Sequence, residues 1–470
     1  MSISSAILTA RSGLVATEKW AQTTSENIAN AGREGYVRRG VSLSARAGGT
    51  VEITGISRDV DASLDRMHRG EVSRIARQET LAASLEAHAA HLGEPGDASS
   101  LSGRLTDLQG AFDLLYNDPG NEAAQRGVLD AAEALSGELN GASESLDRVR
   151  HDNERGIAAD VATVNDALER LSDLNGRIAL EGGATARRAA LQDEVAQELD
   201  ALSEIADLRI SLDVTGRTNV HFSGGAALLE GTTVQTLTYD AATGRLHAGG
   251  VDVTPGTQGA RGFSEGRLAA RFDLKTQVLP RMGMQLDEFA RVLVEGFEQA
   301  DASLGAGQAG LFTDAGAAFD AGGVAELAAR ITVNDLARPE AGGQLSRLRD
   351  GMGATGPGVD GDPSQIGAFA AVLDQPQTFD AGAGLGAEVA VSDYVTNLIA
   401  DQQLVRTTAL DRRDTIAAGA EAIEAARMNL QGVNVDDELQ QLMMIEQSYA
   451  ANAQMMTALG RMLDTLIEAV

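Results

Sequence analysis

The chain has 470 residues, 43% hydrophobic and 23% charged, which fits a folded protein of two or three domains. Its 68 acidic residues against 38 basic ones leave a net charge of −30, so nucleic acid and anionic membrane surfaces are poor partners. With no cysteine, disulfides, thiolate metal sites and cysteine nucleophiles are excluded, and 3% aromatics favour closely packed helices over a large sandwich core.

Residues 3–29 predict one helix. Ile3, Ile7, Ala10, Leu14, Thr17, Ala21, Thr24 and Ile28 recur in steps of four and three, which keeps a seam on one side, and Asn30-Ala31-Gly32 ends it. Arg11 breaks the apolar run and no basic cluster precedes it, so a cleaved secretory signal is not expected. No apolar stretch reaches the roughly 20 residues that would span a bilayer. Residues 36–60 read as extended. From 61 to 206 the period is helical, with one stripe of Leu101, Leu105, Leu108, Phe112 and Leu115. A second stripe runs Val161, Val164, Leu168, Leu171, Leu174 and Ile178, and Asn117-Asp118-Pro119-Gly120 makes a corner between helices.

Residues 207–256 change to a period of two, broken by Gly and Asn/Asp pairs, as hairpins require. A helix over 265–303 follows, with Pro280 set to kink or split it. Residues 304–387 are glycine-rich and weakly patterned, and 388–430 predicts another long helix. The last helix starts at Asn434, a capping side chain. Its seam runs Leu439, Leu442, Tyr449, Ala453, Met456, Leu463, Ile467 and Val470, with Glu446 and Gly460 in the remaining places. The fold expected is mainly α with a β-containing outer domain, an elongated multidomain subunit whose terminal helices pair as a coiled coil. Residues 1–60 and 431–470 would form a terminal assembly domain. Residues 61–206 and 388–430 would form a helical bundle, and 207–387, including helix 265–303, a β-rich outer domain.

Three motifs invite chemistry. Gly262-Phe263-Ser264-Glu265-Gly266 matches the Gly-x-Ser-x-Gly nucleophile elbow, but no histidine follows Ser264, so a turn capping the next helix is the better reading. Gly305-Ala306-Gly307-Gln308-Ala309-Gly310 matches a dinucleotide fingerprint without the required strand before it, and reads as a loop. His88 and His91 could supply half a zinc site, but with no evident third ligand they read as two solvated side chains. No catalytic, cofactor or metal residue is therefore assigned. The ends differ in charge: residues 1–46 carry a net +3 and residues 431–470 a net −5, which would aid their pairing.

Asn27-Ile28-Ala29-Asn30 followed by Gly35-Tyr36 resembles the N-terminal motif of the flagellar axial proteins, the rod, hook and hook-associated subunits. Here Gly32-Arg33-Glu34 stands where those proteins usually place Asn-Thr-Pro. Gly432-Val433-Asn434-Val435-Asp436-Asp437-Glu438-Leu439, with Glu446-Gln447-Ser448-Tyr449, is similar to their C-terminal motif. Gly49–Ile56, Leu64-Asp65-Arg66, Asn117-Asp118-Pro119 with Arg126, Val164-Asn165 and Leu174-Asn175 resemble the hook-associated branch at the hook–filament junction. The resemblance implies a structural adaptor that joins hook to filament and is not an enzyme. It also implies type III export in an unfolded state, an extracellular location, and ring assembly with copies of itself. Hook protein, a second hook-associated protein and an export chaperone would be the other partners. The assembly interface it implies uses Ile3, Ile7, Leu14, Asn27, Ile28, Asn30 and Tyr36 at one end. At the other it uses Leu439, Leu442, Tyr449, Met456, Leu463 and Ile467. A rod or hook subunit, and more remotely a surface-acting hydrolase using 207–387, remain open alternatives.

Overall fold

The computed structural model describes residues 3–33, 35–46 and 49–468. Val470 and Glu34, both used above, lie outside the described residues. In chain order, helix α1 (Ile3–Asn30) leads to an antiparallel hairpin, β1 (Arg39–Ala45) and β2 (Val51–Arg58), with an irregularity between Ser42 and Leu43. Four helices follow: α2 (Ala62–Leu92), α3 (Leu101–Asn117), α4 (Glu122–Leu180) and α5 (Ala186–Ile205). Then come β3 (Leu208–Leu212), β4 (Thr218–Phe222), β5 (Ala227–Glu230) and β6 (Thr233–Val234), one sheet in sequential order. A three-stranded sheet is made by β7 (Leu237–Asp240), β8 (Arg245–Ala248) and β9 (Val251–Asp252).

The predicted 265–303 helix is three pieces: α6 (Arg267–Asp273), a π turn (Leu274–Val278) and α7 (Leu279–Ala300). Pro280 has no N–H to continue an α ladder, and the chain widens just before it. There the N–H of Leu279 reaches back five residues to Leu274 O. Beyond it lie short pieces: β10 (Phe312–Asp314), α8 (Leu327–Arg330), β11 (Ile331–Val333), α9 (Arg347–Asp350), α10 (Ser364–Asp374), β12 (Gln377–Thr378) and β13 (Glu388–Val389). Two long helices close the chain, α11 (Val391–Gln431) and α12 (Val435–Glu468). Among the described residues no helix is long and apolar enough to cross a membrane.

The chain packs into two compact units. One holds residues 1–77, 159–269 and 414–470, the other residues 78–158 and 270–413. The expected 207–387 region is thus divided after Ala269: its seven strands β3–β9 pack with the terminal segments, while the remainder packs with α3 and the first half of α4.

In the second unit the α3 stripe Leu101, Leu105, Leu108, Phe112 and Leu115 is wholly buried. Phe297 stands at the centre of an aromatic group, 5.0 Å from Phe312, 5.4 Å from Phe369 and 5.8 Å from Phe112 between ring centroids. His88 is not solvated as the sequence suggests. It is 1% exposed, its Nδ1 is 2.5 Å from Ser145 Oγ, and its Nε2 is 2.7 Å from Gln402 Oε1. Both partners lie far away in sequence, which is why helix periodicity missed them. Burial holds its pKa down at about 4, partly opposed by the bond to Gln402.

In the first unit two asparagines of α4 tie that helix to both sheets. Asn175 accepts from Thr218 N at 2.8 Å and donates to Thr218 O and Gly231 O at 2.7 and 2.6 Å. Asn165 makes a matching pair with the backbone of Leu237, 2.8 and 2.9 Å. These amides satisfy backbone groups that the strand ladders leave unpaired.

Candidate functional site

The two termini meet in the first unit, where α1 and α12 pack side by side. Asn27 Nδ2 donates to Glu438 Oε2 at 3.1 Å, and fourteen residues earlier in α1 a Cβ on Gly13 would sit 2.9 Å from Asn452, fourteen residues later in α12. The helices are therefore antiparallel, and a side chain at position 13 would push them apart. Ala10, Thr17 and Thr24 are buried along the predicted α1 seam, and Ile3, Ile7, Leu14 and Ile28 are half-buried.

On α12 the buried line is rotated from the predicted one. Glu438 and Ile445 are buried, at 1% and 2% exposed, with Leu442, Asn452, Met456 and Leu459 half-buried. Leu439, Tyr449, Leu463 and Ile467 instead stand out at 45%, 49%, 40% and 68% exposed. The physical reason is that a charged residue, Glu438, occupies the buried line, where Asn27 and Arg38 satisfy it. An apolar search selects Leu439, its neighbour one position on. At this register the start of α1 lies level with Met462, so the last described turn of α12 extends past it.

Asn27 organises the polar end of the pair. Its Nδ2 also donates to Arg39 O at 2.9 Å, while its Oδ1 accepts from Tyr36 OH at 2.9 Å and from Arg39 N at 3.1 Å. All four hydrogen-bonding positions of the buried amide are filled, which aspartate or leucine could not do. Gly35 holds φ at +72°, a left-handed turn that delivers Tyr36 to this point. Asn30 has a local role: its Nδ2 donates to Glu26 O at 2.7 Å in the last turn of α1.

Glu438 is the second anchor. Arg38 Nε donates to its Oε1 at 2.7 Å, and Arg38 also reaches Asp59 at 3.2 Å and, more weakly, Gln441 Oε1 at 3.4 Å. The bond to Glu438 raises the Arg38 pKa, against the effect of burial. Beside it Asp193 of α5 accepts from Arg58 Nε at 2.7 Å and Arg39 Nη2 at 3.2 Å. Burial pushes the Asp193 carboxyl up, opposed by the two arginines, and lowers the Arg58 pKa. Burial likewise raises Tyr36. At the start of α12, Asn434 caps as expected, its Oδ1 accepting from Asp436 N at 3.0 Å.

The surface left open is apolar and rich in methionine. Met444, Met455, Met462 and Leu466 are 59%, 49%, 55% and 51% exposed and recur, with Ser448, Ala451 and Ala458 between them, in steps of three and four. A second open patch lies between α1 and the hairpin, a hollow of about 480 Å³ lined by Leu8, Val15, Val51 and Ile53 among others. Neither surface holds groups placed for covalent or acid–base chemistry.

Elsewhere, Ser264 is exposed in the loop entering α6, where Asp207 Oδ1 accepts from the N–H groups of Ser264 and Glu265 at 2.9 and 3.1 Å. Residues 305–310 form the loop between α7 and β10, closed by Gly305 N donating to Gln308 Oε1 at 2.7 Å. Among the described residues no three His, Asp or Glu side chains are grouped to hold a metal ion.

A family profile described as the flagellar hook-associated protein FlgK helical domain matches residues 90–319, and one described as the flagellar basal body rod FlgEFG protein C-terminal matches residues 425–469. Flagellar hook-associated protein 1 of Bacillus subtilis is 24% identical over 98% of this chain and 97% of its own length. The protein of that name from Salmonella typhimurium is 26% identical over 50% of this chain and 44% of its own length. Among solved structures, the flagellar hook junction protein FlgK from Burkholderia pseudomallei aligns at 17% identity over 53% of this chain and 46% of its own, with a TM-score of 0.44. With a relative aligned end to end and profiles matching both the interior and the C-terminal helix, this chain is similar to flagellar hook-associated protein 1 along nearly its whole length.

Proposed function

We propose that this chain is a structural subunit of the bacterial flagellum that joins the hook to the filament. The observation that carries the reading is the terminal helix pair: α1 and α12 lock together through Asn27 and Glu438, yet leave the methionine stripe and Leu439, Tyr449, Leu463 and Ile467 uncovered. Fully burying one such side chain is worth roughly 1.5–3 kcal/mol, and a ring of copies repeats that gain at every interface. The work of the protein is then mechanical, with terminal helices packing against those of neighbouring axial subunits. The patch between α1 and the hairpin suits the exposed end of a neighbouring α12. Hook protein on one side and a second hook-associated protein on the other are the partners this arrangement calls for, with an export chaperone before assembly. Its place would be outside the cell, in the flagellum.

The test is electron microscopy of cells whose only copy carries Leu463→Asp and Ile467→Asp. Hooks without filaments are expected; filaments of normal number and length would refute the reading. Gold-labelled antibody along the whole hook, and not at its distal end, would favour a hook subunit instead.

A further inference from the structure

The four-stranded sheet ends on β3, and its register shows where unused hydrogen bonds point. Asp213 N donates to Arg217 O at 2.9 Å as the β3–β4 hairpin closes. In an antiparallel ladder the bonding residues alternate, so Ser211 and Arg209 face β4, while Leu212, Ile210 and Leu208 turn their N–H and C=O outward. Thr218, opposite Leu212, agrees with this phase, because Asn175 takes both of its backbone groups from the other side.

That free edge borders a cleft of about 900 Å³ between β3, α2 and α5. Its buried lining includes Val195 and Leu199. Arg66 and Arg209 are exposed along it, with no ionic partner among the described residues. The acids that reach the cleft are already engaged: Asp65 by Arg427 and Gln431, and Asp207 by Ser264 and Glu265. In a chain with so large an acidic excess, this cleft has the opposite sign.

We propose that the cleft binds an extended acidic segment of a partner polypeptide, added to the sheet as a strand alongside β3. Backbone pairing with Leu208, Ile210 and Leu212 would supply register, and alternating side chains would meet Arg66 and Arg209 or cover the apolar lining. A second copy presenting its own β3 edge fits less well, because it brings two arginine clusters together.

The probe is a fluorescein-labelled octapeptide alternating valine and glutamate, titrated with the full chain and followed by anisotropy. Saturable binding is expected, weakened about tenfold or more by the double variant Arg66→Glu, Arg209→Glu and by added salt. The same peptide N-methylated at alternate residues, which leaves the protein unaltered, should fail to bind. Absence of saturation with the glutamate peptide would overturn the proposal, as would equal binding of a lysine version or undiminished binding of the N-methylated one. Sedimentation showing self-association that the peptide displaces would assign the edge to a second copy and overturn it too.

Discussion

The aromatic core of the second unit and the terminal helix pair of the first are built on the same helical period, yet they end differently. Around Phe297 every large apolar side chain is covered within the chain: Phe112, Phe289, Phe312 and Phe369 are all fully buried. In α12 only Glu438 and Ile445 are, and both faces beside them carry exposed leucine, methionine or isoleucine. An apolar stripe thus marks a surface to be buried, without saying whether the covering partner lies in the same molecule.

That contrast breaks most completely if α12 is removed. Deleting residues 435–470 should abolish junction formation in cells while the thermal transition of the second unit stays in place, and Leu463→Asp should act in the same direction. A loss of both would place α12 in the folding core. Phe297→Ala probes the other side and should cost about 3–5 kcal/mol in denaturant unfolding, as large aromatic truncations do. An effect below 1 kcal/mol would remove the distinction between the regions.

Acid separates the units more gently. His88 stays neutral in the fold down to about pH 4 and titrates near 6.5 when unfolded, so below 6.5 the unfolded chain gains a proton that the native chain lacks. Stability from this group is present in full above pH 6.5, declines as the pH falls, and levels off below about 4. The total is on the order of 3 kcal/mol, at about 1.4 kcal/mol per pH unit. His88→Gln should flatten that slope in urea melts taken across this range; an unchanged slope would exclude His88 as its source.

Asn27→Ala should cost about 2 kcal/mol, because it strands buried partners, and hydrogen exchange should report the loss in α1 and α12 alone. The smallest effect is expected at Met455→Ser, within about 0.5 kcal/mol for the isolated chain. A larger cost would mean that the methionine face is already covered in the monomer.

Much of this was legible beforehand from local chemistry. The α3 stripe, the Asn434 cap, the corner at Asn117–Gly120 and the change to period two at residue 207 all follow from rules that act over a few residues. The terminal motifs could be found as a pattern, but Asn27 and Gly35 acquired physical roles only when Arg39, Tyr36 and Glu438 were brought beside them. His88 looked like a surface residue because both of its partners are remote in sequence.

By itself the sequence determined the helices, their caps, the hairpins and the presence of adhesive terminal stripes, since each depends on backbone geometry and spacing along one segment. Tertiary structure decided which face of α12 meets α1, that the region after residue 207 is shared between two units, and that a charged Glu438 belongs in the buried line. Those outcomes turn on partners supplied from elsewhere: a buried carboxylate is tolerable only because Arg38 and Asn27, some four hundred residues away in the chain, are there to satisfy it.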